Sequence, residues 1–296
     1  MARTRHLHVP VPAFALGASL FGKLPSALDF VRVNHDHPES VQLDRWLQAG
    51  LQRLAARGRE WPSGFMQFVF VAAAARHALV GVVAPSRDRA GRRFPITVYG
   101  RVPMTALPEG TALLPLASQD FLAAARAVLE RVDAHGPGEL GHALRRLRVP
   151  QPRDLAAESA RRREGRRTWP SGTQERSVCS VVEARQRLLQ PQRSASVGIE
   201  CFDCPVASVL DVASWAGIME LTLGHASSYV WSAAPGEPRM LLAPGALPER
   251  LALFWATPAQ GFPQLHKLEE AACELPSTDA VSGDDLFAEV IARLEE

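Results

Sequence analysis

Pro85-Ser86-Arg87-Asp88-Arg89-Ala90-Gly91-Arg92-Arg93-Phe94-Pro95 lies between two apolar runs, residues 79–84 and 96–98. Short apolar runs bounded by turn residues read as β-strands, and Gly91 supplies the positive backbone angle that a tight turn needs. The link is too short to carry the crossover helix that parallel strands require, so the two strands are expected to pair antiparallel. Upstream, Phe65, Phe68, Val69, Phe70 and Val71 are β-prone and predict a third strand.

Working outward, residues 14–21 are apolar and rich in small side chains, and read as a first strand feeding the turn Gly22-Lys23-Leu24-Pro25. Between residues 40 and 57, Val41, Leu43, Trp46, Leu47, Leu51 and Leu54 recur at three- and four-residue steps, which predicts an amphipathic helix stopping at Gly58. Residues 111–116 suit another strand. Phe121, Leu122, Ala125, Val128, Leu129 and Val132 trace a second helical stripe, closed by Gly136-Pro137-Gly138. The pattern implies the α/β class: an antiparallel sheet with helices 41–57 and 121–132 on one face, a longin-like or profilin-like layer.

From 145 to 176 the composition shifts, with Pro150, Pro152 and the run Arg161-Arg162-Arg163-Glu164-Gly165-Arg166-Arg167. This divides the chain into an amino-terminal domain at 1–148, an arginine-rich linker or insertion at 149–194, and a carboxy-terminal α/β portion at 195–296. In that last portion, 206–223 reads as a buried helix, 229–231 and 240–242 as strands paired around Pro235-Gly236, and 248–255 and 284–294 as further helices.

Composition sets outer limits. The 296 residues are 47% hydrophobic and 22% charged, enough for one large core or two modest ones, and the net charge of +2 gives no long-range pull on nucleic acid. No stretch approaches the roughly 20 uninterrupted apolar residues of a membrane helix. Pro10, Pro12 and Gly17 break the apolar run after the amino terminus, which makes a poor signal peptide, and four cysteines are sparse for a secreted disulfide scaffold. A cytoplasmic, reduced protein without membrane insertion is expected.

Candidate chemistry is thin. Ser86, Asp88 and Arg92 put a hydroxyl, a carboxylate and a guanidinium in one loop, a set that grips phosphate or an acidic partner, or that braces a turn. Ser86 lacks a histidine or lysine base with identifiable geometry. Gly22-Lys23 imitates the end of a phosphate-binding loop, but Ala18 and Leu24 stand where that loop needs a glycine and a hydroxyl. Cys201-Phe202-Asp203-Cys204 has ligand spacing, yet a tetrahedral zinc needs two more ligands, and Cys179, Cys273 and His225 are the candidates; no metal or cofactor is expected. The alternating pairs His6/His8 and His35/His37 read as exposed histidines. The arginine run is the best candidate for an acidic partner or nucleic acid, but almost no aromatic residues are interleaved, so sequence-specific nucleic-acid recognition is not expected and a solvated linker is the default. Trp46, Trp215, Trp231 and Trp255 lie on apolar faces and read as core.

The succession Gly22-Lys23-Leu24-Pro25, Asp29-Phe30, Asp44-Arg45-Trp46-Leu47 and Pro85-Ser86-x-Asp88-x-x-Gly91-Arg92-x-Phe94-Pro95 resembles the TagF (ImpM) family of type VI secretion accessory proteins. A weaker echo lies in Val230-Trp231, Leu247-Pro248 and Phe254, so the likeness spans about two thirds of the chain. Where the family carries glycine before Asp29 this chain has Leu28, a departure that questions the local turn. The resemblance implies a non-enzymatic, post-translational repressor of apparatus assembly. It would act by binding a forkhead-associated scaffold protein (Fha), with regulation that intersects a threonine kinase and phosphatase pair. It points to Lys23, Pro25, Asp29, Trp46, Ser86, Asp88, Gly91 and Arg92 as the partner-binding residues. The alternatives are a hydrolase or phosphate-binding enzyme using Ser86, Asp88 and Arg92 with Lys23, or a degenerate paralogue that has lost its partner.

Overall fold

The computed structural model describes residues 17–164, 201–244 and 265–267, apart from positions 57, 59–63, 73, 109, 135, 207, 224–226 and 233–238. The chain order is β1 (Ser19–Lys23), β2 (Phe30–Val33), α1 (Pro38–Ala56), β3 (Met66–Val71), β4 (His77–Ala84), β5 (Ile96–Pro103), α2 (Leu114–Ala117), α3 (Gln119–Glu130), α4 (Pro137–Arg146) and α5 (Pro152–Glu164). After these come β6 (Cys201–Pro205), α6 (Val209–Leu223), β7 (Ser227–Ser232), β8 (Arg239–Pro244) and β9 (Leu265–Lys267).

The strands form one sheet in the order β2-β1-β5-β4-β3-β7-β8-β6-β9. The antiparallel sheet with packed helices expected from the sequence is there, and β4 and β5 pair antiparallel across the 85–95 link, from His77 opposite Pro103 to Ala84 opposite Ile96. The pairing of β6 with β9 is parallel.

Alternation along β1 sends Leu20 to one face and Phe21 to the other. On Leu20's side lie Val69, Val82 and Val98, covered by Phe121, Leu122, Ala125 and Leu129 of α3 and by Val212, Trp215 and Met219 of α6. On the other side Phe21, Phe68, Phe70 and Tyr99 are covered by Leu43, Trp46 and Leu47 of α1. The two amino-terminal helices therefore lie on opposite faces, not on one. The physical reason was visible in β4: seven of its eight residues are buried, an almost unbroken apolar run that belongs to a strand covered on both sides rather than one.

Other expectations change locally. Residues 111–116 form a turn and the start of α2, where Pro115 has no N–H to give a strand ladder. Gly136-Pro137-Gly138 opens α4 instead of closing α3, since proline suits the first helical turn, and Gly136 N–H is capped by the Glu139 carboxylate at 3.0 Å. Within the arginine-rich segment α5 occupies Pro152–Glu164, started by Asp154 accepting from the Gln151 N–H at 2.8 Å and seated by the buried Leu155. The part of that segment after Glu164, the helices expected at 248–255 and 284–294, and Leu247, Pro248, Trp255, Cys179, Cys273 and His225 lie outside the described residues.

The carboxy-terminal strands enter the sheet through β7, which sets Trp231, Val230 and Tyr229 opposite Gln67, Phe68 and Val69 of β3. Side chains reinforce this seam. Ser228 Oγ accepts from the Val71 N–H at 2.8 Å, and the Tyr229 hydroxyl donates to the Thr111 carbonyl at 2.8 Å. The buried Glu220 carboxylate of α6 accepts from Thr111 N–H at 2.8 Å, Thr111 Oγ1 at 2.6 Å and Ala112 N–H at 3.1 Å. Gly110, at φ +95°, lets the loop pass so close that a Cβ there would meet that carboxylate.

A second buried polar group sits beneath α1. The His35 ring stacks on Phe21 at 4.3 Å and its Nδ1 is 2.8 Å from the Tyr99 hydroxyl, which donates onward to Ser40 Oγ at 2.8 Å. With its proton committed to Ser40, the tyrosine oxygen accepts from Nδ1–H of His35. Burial first, and then the neighbouring Arg32, lowers its pKa from 6.5 to about 4.

Removing the Glu220 carboxylate strands three donors, so Glu220→Ala is expected to cost about 3 kcal/mol in urea unfolding, with Gly110→Ala less than additive on top of it. Because the folded pKa of His35 lies below its unfolded value, its contribution is full above pH 6.5 and is lost as pH falls towards 4. Unfolding free energy should drop by about 3 kcal/mol over that window, and His35→Asn should flatten the drop.

Candidate functional site

The 85–95 link folds back on itself before it reaches β5. Phe94 N–H donates to Ser86 O at 3.1 Å, Asp88 N–H to Arg92 O at 3.0 Å, and Gly91 N–H to Asp88 O at 2.9 Å, closing a turn in which Gly91 takes φ +80°. Asp88 organises it. One carboxylate oxygen, Oδ1, accepts from the main-chain N–H of Ala90 at 3.0 Å and of Arg92 at 2.9 Å, while Oδ2 accepts from Lys23 Nζ at 2.8 Å and Arg92 Nε at 2.7 Å.

Lys23 reaches Asp88 because β1 runs beside β5, with Gly22 opposite Ile96. Gly22 has φ +143° and passes against Pro95 O and Ile96 Cα, space that a Cβ would fill. This explains the glycine of the Gly22-Lys23-Leu24-Pro25 motif. Burial pushes the Asp88 carboxyl up, but the hydrogen bonds from Lys23 and Arg92 outweigh it and hold Asp88 below the usual carboxylate range.

The β1–β2 turn and the hairpin tip are tied into one body. Ser86 Oγ donates to Lys23 O at 2.7 Å, Arg89 N–H donates to Ala27 O at 2.8 Å, and the Arg92 guanidinium donates to Leu28 O. Beneath them Phe30 stacks on Phe21 at 5.4 Å and meets the edge of Phe94 at 4.7 Å, with Lys23 Nζ 5.3 Å above the Phe30 ring.

Of the eight residues the motifs point to, Lys23, Ser86, Asp88, Gly91 and Arg92 meet in this unit. Pro25 is half-buried in the turn that Ala27 N–H closes on Leu24 O, and Asp29 accepts from Phe30 N–H at 2.8 Å. Trp46 is buried under α1 against Phe70, in the core and not on the surface. Leu28 needs no glycine-like backbone, since its φ is not positive; its side chain stands 63% exposed. Sequence reading passed over Phe30 and Phe94 as the floor of the site, although both lie inside the motifs.

The outer surface of the hairpin is cationic: Arg87, Arg89, Arg92 and Arg93 are exposed, while the one carboxylate among them is buried against Lys23. A cavity of about 330 Å³ lies elsewhere, lined by α3 residues Leu122 and Arg126, by Val209 of α6 and by Gln67 and Trp231, and includes none of these motif residues. Among the described residues no cluster of three or more His, Cys, Asp or Glu is placed to hold a metal, and no helix is long and apolar enough to cross a membrane.

Asp88→Ala leaves Lys23 buried without a counter-charge, and is expected to lower Tm on the order of 10 °C in a thermal melt. Adding Lys23→Met should restore part of that loss, because a buried pair removed whole costs less than one removed by half.

None of the curated proteins compared with the chain matches it. Its fold is similar to the crystal structure of PA0076 from Pseudomonas aeruginosa PAO1, solved at 2.05 Å, with a TM-score of 0.50 and 18% identity over 83% of this chain and 97% of that one. At that identity the likeness is one of fold. Residues 19–146 match the model of the TagF N-terminal domain, described as type VI secretion system-associated. That span runs from the first residue of β1 to the last of α4 and takes in both halves of the ion-paired hairpin, so it is residues 19–146 that are similar to the TagF N-terminal domain, described as type VI secretion system-associated.

Proposed function

We propose that the chain is a cytoplasmic, non-enzymatic repressor of type VI secretion that restrains assembly of the apparatus by binding a forkhead-associated scaffold protein. The observation that carries this reading is the direction of the motif side chains. Ser86 gives its proton to a main-chain carbonyl, and all four hydrogen bonds to Asp88 come from the hairpin and its lysine, so the polar groups of a hydrolytic site are spent inside the fold. What the hairpin turns outward is a ridge of guanidinium groups on a braced backbone, suited to an acidic protein surface. Rigid presentation lowers the ordering cost of association. Occlusion of the scaffold, rather than chemistry on it, is the mechanism.

The test is binding of purified chain to the purified forkhead-associated scaffold of the same secretion cluster, beside a secretion assay in the host. Arg87→Glu with Arg89→Glu should weaken binding about tenfold or more and steepen no salt dependence, while releasing secretion in a strain that overproduces the protein. Unchanged affinity in that double variant, or no binding by the wild type, would sink the reading.

A further inference from the structure

We propose that Leu28 is the apolar anchor of this contact, and that the partner surface it fits is an apolar pocket ringed by carboxylates; this rests on the binding function just proposed. Among the described residues Leu28 is the most exposed large hydrophobic side chain, at 63%, ahead of Val41 at 42% and Leu210 at 38%. A single exposed leucine is ordinary in itself. Its setting is what distinguishes this one.

The backbone around Leu28 is fixed on both sides. Its own carbonyl accepts from the Arg92 guanidinium, the preceding Ala27 carbonyl accepts from Arg89 N–H, and the following Asp29 caps Phe30 N–H. The side chain therefore projects from a rigid base whose φ asks nothing of it, so neither the turn nor the core accounts for a leucine there. Its apolar surface becomes favourable only when a partner covers it.

Charge complementarity selects the occupant. Arg92 is held beside Leu28 by its guanidinium bond to the Leu28 carbonyl, the Arg89 main chain is tied to the preceding Ala27, Arg87 lies on the same exposed hairpin, and the hairpin's one carboxylate, Asp88, is buried against Lys23 and Arg92. An apolar knob set among guanidinium groups is the arrangement in which one anchor supplies affinity while the surrounding charges supply orientation and encounter rate. A second copy of this chain would bring arginine against arginine. A bare apolar surface would offer no counter-charge to the exposed Arg87 and Arg89. An acidic protein surface with a hydrophobic socket meets both requirements.

The experiment uses the full chain and the purified scaffold. Leu28→Ala should leave Tm within about 1 °C, because the side chain is 63% exposed, and should raise Kd about tenfold, chiefly through faster dissociation. Leu28→Asp should weaken binding further, by facing the carboxylate ring. Affinity kept within twofold in both variants, with the wild type binding normally, overturns the anchor and leaves the repressor reading in place. Failure of the wild type to bind overturns both. Sedimentation of the chain alone gives the remaining arm: concentration-dependent dimers that Leu28→Ala abolishes would assign the knob to a second copy and overturn the proposed partner chemistry.

Discussion

The ion pair between Lys23 and Asp88 is the constraint on which the amino-terminal half of the molecule depends. It joins residues 65 apart in sequence, is almost sealed from solvent on both sides, and stands where β1, β4 and β5 end together. A buried charge persists only when its hydrogen-bonding capacity is filled, and Asp88 achieves this by drawing in one lysine, one arginine and two main-chain N–H groups. Fixing those donors fixes the hairpin, the turn after β1 and the outward direction of the remaining arginines. The exposed surface thus has a shape because the interior charge leaves it no freedom.

The second half of the fold is attached by a similar device. Glu220 is another buried carboxylate satisfied by donors from a loop distant in sequence, here Thr111 and Ala112. Both cases commit a buried carboxylate to donors of a segment distant in sequence, the Lys23 ammonium for Asp88 and the Thr111 and Ala112 groups for Glu220, so that only the native register fills every bond. Apolar packing alone tolerates more than one arrangement; these two carboxylates do not.

The sequence showed most clearly what depends on local periodicity. Strands β3, β4 and β5, α1 with its stop near Gly58, α3, α6 and the β7–β8 pair stand close to where their apolar spacing puts them. Elements with little apolar signal escaped: β2 has four residues, α4 is interrupted by glycines, and α5 seats one buried leucine among arginines and glutamates. The site was half legible. Lys23, Ser86, Asp88, Gly91 and Arg92 stood out as motif residues, but no spacing rule reveals that Lys23 and Asp88 bond to each other. That pairing is a property of the register between β1 and β5, which a single chain of letters does not encode locally. Leu28 looked like a defect in a turn and proves to sit in ordinary backbone, because the Arg92 bond goes to its carbonyl and is indifferent to its side chain.

The seam between β3 and β7 bears on how the molecule is made. Val71 and Ser228, bonded across it, are 157 residues apart. At translation rates of about 5–20 residues per second, β3 leaves the ribosome on the order of ten seconds or more before its neighbour exists. Throughout that interval the nascent chain carries an unpaired apolar strand border, the kind of surface that chaperones cover and that neighbouring nascent chains can join. Cellular yield of this protein is therefore expected to depend on how long one strand must wait for another, and synonymous changes in codon speed between the two strands should act on it without altering a single residue.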